Sequence, residues 1–162
     1  MNSPLSNETA NDLYAMLSPE LRTELAQYAQ SVTVPQGTNL LRRGVLPDQL
    51  VIVNSGKVEI TLACMHRSVS LGCAEAGKVF GMRAVISGEL PEADVISQES
   101  CQITLIPRDA FLKTVRQHPQ LYFAIAKVLS NDLVLAQRFL KNSLGRPLRR
   151  KIIAKPFLIG LH

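Results

Sequence analysis

The sequence predicts a mainly β fold with flanking helices: an antiparallel barrel or roll, entered through one helix and left through a long C-terminal one. Three observations predict it. From about residue 31 to 106, apolar residues recur with period two between glycine-containing turns. On either side of that region the period becomes helical. Beyond Pro119, Tyr122, Ala126, Leu129, Leu133, Ala136 and Leu140 follow one another at spacings of 4, 3, 4, 3 and 4, a heptad seam over almost three repeats.

The elements follow in order. Asp12 to Leu17 reads as a short turn, and Ser18-Pro19-Glu20 as a helix start: a hydroxyl N-cap, proline at the first helical position and an acid at the positive end of the dipole. Leu21, Leu25 and Tyr28 then share a face, which predicts an amphipathic helix from Pro19 to about Gln30. SVTVPQGTNLLRRG reads as two strands about a turn at Pro35-Gln36-Gly37. In QLVIVNSGKVEITL, Leu50/Ile52 and Val58/Ile60/Leu62 alternate with their neighbours, and Asn54-Ser55-Gly56 reads as a hairpin turn in which Gly56 takes positive φ. Cys101, Ile103 and Leu105 form a further alternating run that ends at Pro107.

Phe111, Leu112 and Val115 then predict a short helix stopping near His118-Pro119, because a residue before proline disfavours the α region. Pro119 opens the long helix. Beside its heptad seam runs a second apolar stripe, Leu121, Ile125, Val128, Leu135 and Phe139, interrupted by Asp132. Two stripes on one helix need two partners, so one stripe is expected on the roll and the other on a second copy of the chain, in a parallel homodimer. The alternative is a helix buried within its own monomer. The expected organisation is residues 1–118 for helix and roll, 119–143 for the dimerisation helix and 144–162 for a basic tail.

Composition bounds the function. At 162 residues the chain is one domain. With 46% apolar and 19% charged residues it is expected to be soluble. No apolar run reaches the ~18 residues of a membrane helix, and MNSPLSNETAND has neither the basic nor the apolar part of an export signal, so a cytoplasmic location is expected. Cys64, Cys73 and Cys101 form no C-x-x-C pair and read as small apolar fillers; His66, His118 and His162 have no metal-ligand spacing, so no metal is expected. Residues 1–100 hold 7 Lys+Arg against 11 Asp+Glu, whereas residues 101–162 hold 11 against 2. The basic residues concentrate in KNSLGRPLRRKIIAK, either a nucleic-acid footprint or a solvated tail. No G-x-S-x-G, P-loop or carboxylate pair argues for an enzyme.

From Pro35 to Ile60 the chain resembles the opening half of a cyclic-nucleotide-binding domain of the catabolite activator and Fnr type. Pro35, Gly37, Leu40, Arg43, Gly44, Asp48, Leu50, Gly56 and Val58 fall where that family's pattern places such residues. Gly77-Lys78-Val79-Phe80-Gly81 resembles the family's G-D-x-F-G entry into its phosphate cassette. The resemblance covers roughly residues 15–142. It implies a double-stranded, jelly-roll-like β-roll of eight strands, a short helix holding the cassette, and a dimerising C-terminal helix.

The cassette, Phe80, Gly81, Met82, Arg83 and Ala84 with Pro91, Glu92 and Ala93, departs from the family pattern. Members that bind cyclic nucleotide carry F-G-E, whose glutamate holds the ribose hydroxyl, and R-S-A or R-T-A, whose arginine and hydroxyl hold the phosphate. Here Met82 replaces the glutamate, and alignment on Ala93 puts Pro91 at the arginine and Glu92 at the hydroxyl. Losing a charge-assisted hydrogen bond of ~1.5–3 kcal/mol weakens binding ~10- to 150-fold, before Glu92 repels the phosphate. The expected function is therefore the effector-sensing domain of a Crp/Fnr-like transcriptional regulator with a degenerate cassette. It takes no cofactor, responds to a small-molecule effector other than cAMP or cGMP, and reaches DNA only as part of a longer chain. The alternative is a nucleotide-binding module that uses Arg83 and the backbone amides of Gly81 to Ala84. Glu89, Glu92 and Asp94 read as a solvated acidic loop.

Overall fold

A computed structural model describes Leu13 and residues 16–144, apart from the side chains of Cys64, Leu135, Phe139, Leu140 and residues 142–144. These residues divide into two compact units, one ending at Leu129 and one beginning at Ser130. The first contains the roll. Its elements are α1 (Pro19–Ala26), β1 (Gln30–Val34), β2 (Asn39–Leu41), β3 (Gln49–Ser55), β4 (Val58–Cys64), β5 (Arg67–Ala74), β6 (Val79–Phe80), α2 (Met82–Ser87), β7 (Ala93–Ser97), β8 (Cys101–Pro107) and α3 (Arg108–Gln117). The long helix α4 (Leu121–Leu144) begins in the first unit and continues in the second.

The eight strands form two antiparallel sheets, ordered β1-β8-β3-β6 and β2-β7-β4-β5. Side chains from both sheets make one apolar cluster, the roll interior: Val51, Val53, Phe80, Cys101 and Ile103 from the first, Val58, Ala74 and Val95 from the second. A second cluster covers the other face of the first sheet, where Leu50, Ile52, Val79 and Ile106 meet Leu21 and Leu25 of α1, Met82 and Val85 of α2, Phe111 and Val115 of α3, and Leu121, Ile125 and Val128 of α4.

Strand β3 belongs to both clusters, which corrects the expected one-sided alternation. Leu50 and Ile52 face the helices, Val51 and Val53 face the roll interior, and all four are buried. A continuous LVIV run is what a strand covered on both faces requires. Its register is fixed by β8, with Val51 opposite Leu105 and Val53 opposite Ile103.

Two boundaries differ from expectation. Helix α1 starts as predicted, with Ser18 Oγ accepting from the Leu21 amide at 3.4 Å and Pro19 in the first turn. Hydrogen bonds from its own backbone amide and from Ser18 hold the exposed Glu20 carboxyl below its usual range. The helix ends at Ala26, short of Gln30, because Gln30 is already paired with Leu105 as the first residue of β1; Tyr28 is left 40% exposed. Helix α4 starts at Leu121 rather than Pro119, after a turn in which the Leu121 and Tyr122 amides donate to His118 and Pro119 carbonyls.

Asn54 and Ser55, expected in a hairpin turn, instead end β3, with Ser55 opposite Gln102, and the bend at Gly56 joins no hairpin. β3 pairs with β6 and β8 while β4 pairs with β5 and β7, so the bend passes the chain from one sheet to the other. Gly56 takes φ +97 there, and a Cβ would stand 2.6 Å from Cys101 Sγ, 2.9 Å from Cys101 Cα and 2.9 Å from the Ser100 carbonyl oxygen. Gly44 also has positive φ, +72, but its Cβ would meet nothing within 4 Å.

The two glycines are therefore expected to respond differently. Gly44→Ala should cost about 1–2 kcal/mol of backbone strain, whereas Gly56→Ala adds a clash against backbone and should cost at least ~3 kcal/mol. Urea denaturation of the two variants measures the difference; equal losses would contradict it.

Candidate functional site

The cassette is built by the turn from β6 into α2. Gly81 takes φ +87 as the residue before α2, and Gly88 takes φ +74 after it, its amide donating to the Ala84 carbonyl at 2.9 Å. A glycine is needed at the first position because the chain reverses there beside the β2–β3 connection: a Cβ on Gly81 would lie 3.5 Å from both the Gln49 carbonyl oxygen and Pro47 Cγ. Among the described residues no side chain caps the first turn of α2.

The side chains of this segment part in three directions. Phe80 joins the roll interior, while Met82 and Val85 pack into the helical cluster. Met82 is thus a packing residue, 2% exposed. Arg83 points outward: its side chain is 52% exposed and Nη1 donates to Glu89 Oε2 at 2.8 Å. The pair is braced by Ser87, whose hydroxyl donates to the Arg83 carbonyl and accepts from the Glu89 amide. An exposed pair of this kind contributes at most about 1 kcal/mol to stability. Its effect here is positional, since it occupies the arginine with an acid from the same cassette.

The far end of the cassette is pinned to the β2–β3 connection. Pro91 is buried and its carbonyl accepts from the Gly44 amide at 2.9 Å. Glu92 is exposed, and Ala93 begins β7 opposite Leu62. Asp94, expected in a solvated acidic loop with Glu89 and Glu92, instead accepts from the Arg43 amide at 2.9 Å. Only Glu92 of the three is exposed without a hydrogen bond or ion pair among the described residues.

In α4 the second stripe is buried as far as the first unit extends, with Leu121, Ile125 and Val128 between 0 and 4% exposed. Leu129, placed in the heptad seam, also packs partly against the helical cluster. The other seam residues with described side chains are uncovered in the single chain: Tyr122 is 52% and Leu133 59% exposed, and Ala126 and Ala136 are exposed as well. Leu135, Phe139 and Leu140 have side chains outside the described set, and the basic tail beyond Leu144 lies outside the described residues altogether.

Cys101 is a buried filler of the roll interior and Cys73 is half-buried. Among the described residues no three His, Cys, Asp or Glu side chains gather where a metal would be held. No described helix is long and apolar enough to cross a membrane. Sequence reasoning gave no ligand role to Arg42 or Asp48, which line an open groove reaching the roll interior. Most of its lining lies between Val34 and Val51, and Ile103 and Leu105 of β8 complete it from about fifty residues away.

No curated protein sequence matches the chain significantly. Solved structures do match in fold. The Thermus thermophilus catabolite activator protein superposes with a TM-score of 0.69 at 24% identity over 80% of this chain. The chain spans 62% of that protein's length. The sensor domain of the transcriptional regulator DNR from Pseudomonas aeruginosa gives 0.63 at 18% identity, over 83% of this chain and 87% of that domain. A regulatory subunit of a cAMP-independent protein kinase A from Trypanosoma brucei gives 0.63 at 16% identity, over 74% and 42%. The family model for the cyclic nucleotide-binding domain matches residues 31–118, more than half of the sequence, from β1 to the end of α3. With two four-stranded sheets, a glycine-entered cassette helix and a long following helix in place, the chain belongs to the cyclic nucleotide-binding domain family.

Proposed function

We propose that the chain is the effector-sensing, non-enzymatic module of a Crp/Fnr-like transcriptional regulator, cytoplasmic and dimeric through α4, whose cassette does not take cAMP or cGMP. The observation that carries this reading is the outward position of Arg83 and its pairing with Glu89. A cyclic phosphate needs a cation facing it, and from Arg83 to Asp94 the chain offers no other. To serve the phosphate, Arg83 would have to leave Glu89 and turn inward, and Glu92 would still add like charge. The alternative, a working cassette built on Arg83, therefore has the less support.

The dimer rests on the uncovered seam. Tyr122, Ala126, Leu133 and Ala136 are exposed in the single chain, and a sustained heptad pattern is the signal of a partner helix. DNA contact would fall to a longer chain, as the neighbouring catabolite activator protein extends beyond the matched region. Alone, these residues are expected to bind duplex DNA weakly, without sequence preference and with steep salt dependence.

Calorimetric titration with cAMP and cGMP tests the cassette: no dissociation constant tighter than about 10 μM is expected, and a tighter one overturns the reading. For the dimer, Leu133→Asp with Ala136→Asp places charge in the seam while sparing Leu129, which also packs on the roll's helical cover. Light scattering should show a dimeric wild type at tens of micromolar, roughly the range where modest interfaces hold, and a folded monomeric variant. A monomeric wild type would refute the dimer.

A further inference from the structure

An open groove of about 510 Å³ reaches the apolar interior of the roll, and its lining includes no residue of Phe80–Ala84 or Pro91–Ala93. Its floor is apolar: Val34 of β1, Leu41 of β2, Val51 of β3, and Ile103 and Leu105 of β8. Two charged side chains of opposite sign, Arg42 and Asp48, line it and are exposed. Neither is ion-paired, with the other or with any third group, among the described residues.

Both stand on held backbone. The Asp48 carbonyl accepts from the Arg108 amide at 2.8 Å, and the Arg42 carbonyl from the Val45 amide at 3.3 Å. The residues after Arg42 are tied to the cassette's far end, Arg43 to Asp94 and Gly44 to Pro91, each at 2.9 Å. A ligand here therefore meets two charges on a connection that is already ordered, which lowers the entropic cost of binding.

We infer that this groove binds a small zwitterion with an apolar body, the chemistry of an apolar amino acid. Its carboxylate faces the Arg42 guanidinium, its ammonium faces the Asp48 carboxylate, and its side chain lies on the apolar floor. A fatty acid would satisfy Arg42 and be repelled by Asp48; an alkylamine would do the reverse. The inference goes beyond the reading of the cassette and is independent of it, because groove and cassette share no lining residue.

The test is a calorimetric titration of the full chain with L-leucine, isocaproate, which lacks the ammonium, and isoamylamine, which lacks the carboxylate. Leucine should bind, and each comparator about tenfold more weakly. Arg42→Gln should abolish the preference for leucine over isoamylamine, and Asp48→Asn the preference over isocaproate, with circular dichroism confirming the fold. Should a variant misfold, the three ligands on the wild type still decide. Absence of saturable leucine binding up to about 10 mM, or isocaproate or isoamylamine binding as tightly as leucine, overturns the inference. Binding of cAMP in parallel would undo the cassette reading and leave this one standing.

Discussion

The structure depends on one strand buried on both faces. β3 presents Leu50 and Ile52 to the helices and Val51 and Val53 to the roll interior. Burying each such side chain contributes about 1.5–3 kcal/mol, so four together rival the whole net stability of a typical domain, about 5–15 kcal/mol. Both layers are organised around this strand. β6 and β8 pair with it, the cassette turn at Gly81 backs onto its Gln49 carbonyl, and α1, α3 and the start of α4 close over it. A change on one face of β3 is thereby felt on the other, because close-packed neighbours cannot absorb it independently.

Given that frame, we propose that the cassette keeps its backbone without the phosphate chemistry. The turn glycines hold left-handed φ and α2 forms. Met82, aligned by sequence with the family's glutamate, anchors α2 in the helical cluster, and Pro91, aligned with its arginine, accepts from the Gly44 amide of the β2–β3 connection. Arg83 is engaged by an acid six residues along. Hydrogen bonds from the Gly44 amide to Pro91 and from the Arg43 amide to Asp94 tie the far end of the segment to the connection carrying Arg42.

Much of this was legible in the sequence. Helix starts, turns and the heptad seam were readable because capping, φ restriction and periodicity act over a few residues: Ser18 with Pro19, Pro119 after His118, and the 4-3 spacing from Tyr122. What was not legible depends on pairing at long range. That Asn54-Ser55-Gly56 crosses between sheets follows from β3 choosing β8, about fifty residues away, over β4. The end of α1 was misplaced for the same reason, since β1 takes Gln30 into register with Leu105. Asp94 looked like part of an acidic loop because the amide it accepts from, that of Arg43, lies 51 residues earlier. The groove lined by Arg42 and Asp48 was not legible because its apolar floor is completed by Ile103 and Leu105 of β8, brought beside β1 and β3 only by strand pairing.

The central claim, that this cassette retains the fold without the phosphate chemistry, is tested most directly by following the amide resonances of Gly81, Met82, Ala84 and Ala93 as cAMP is added to millimolar concentration. A phosphate seated in the cassette moves the amides that surround it. These four signals are expected to stay in place; a saturable shift of all four would contradict the claim.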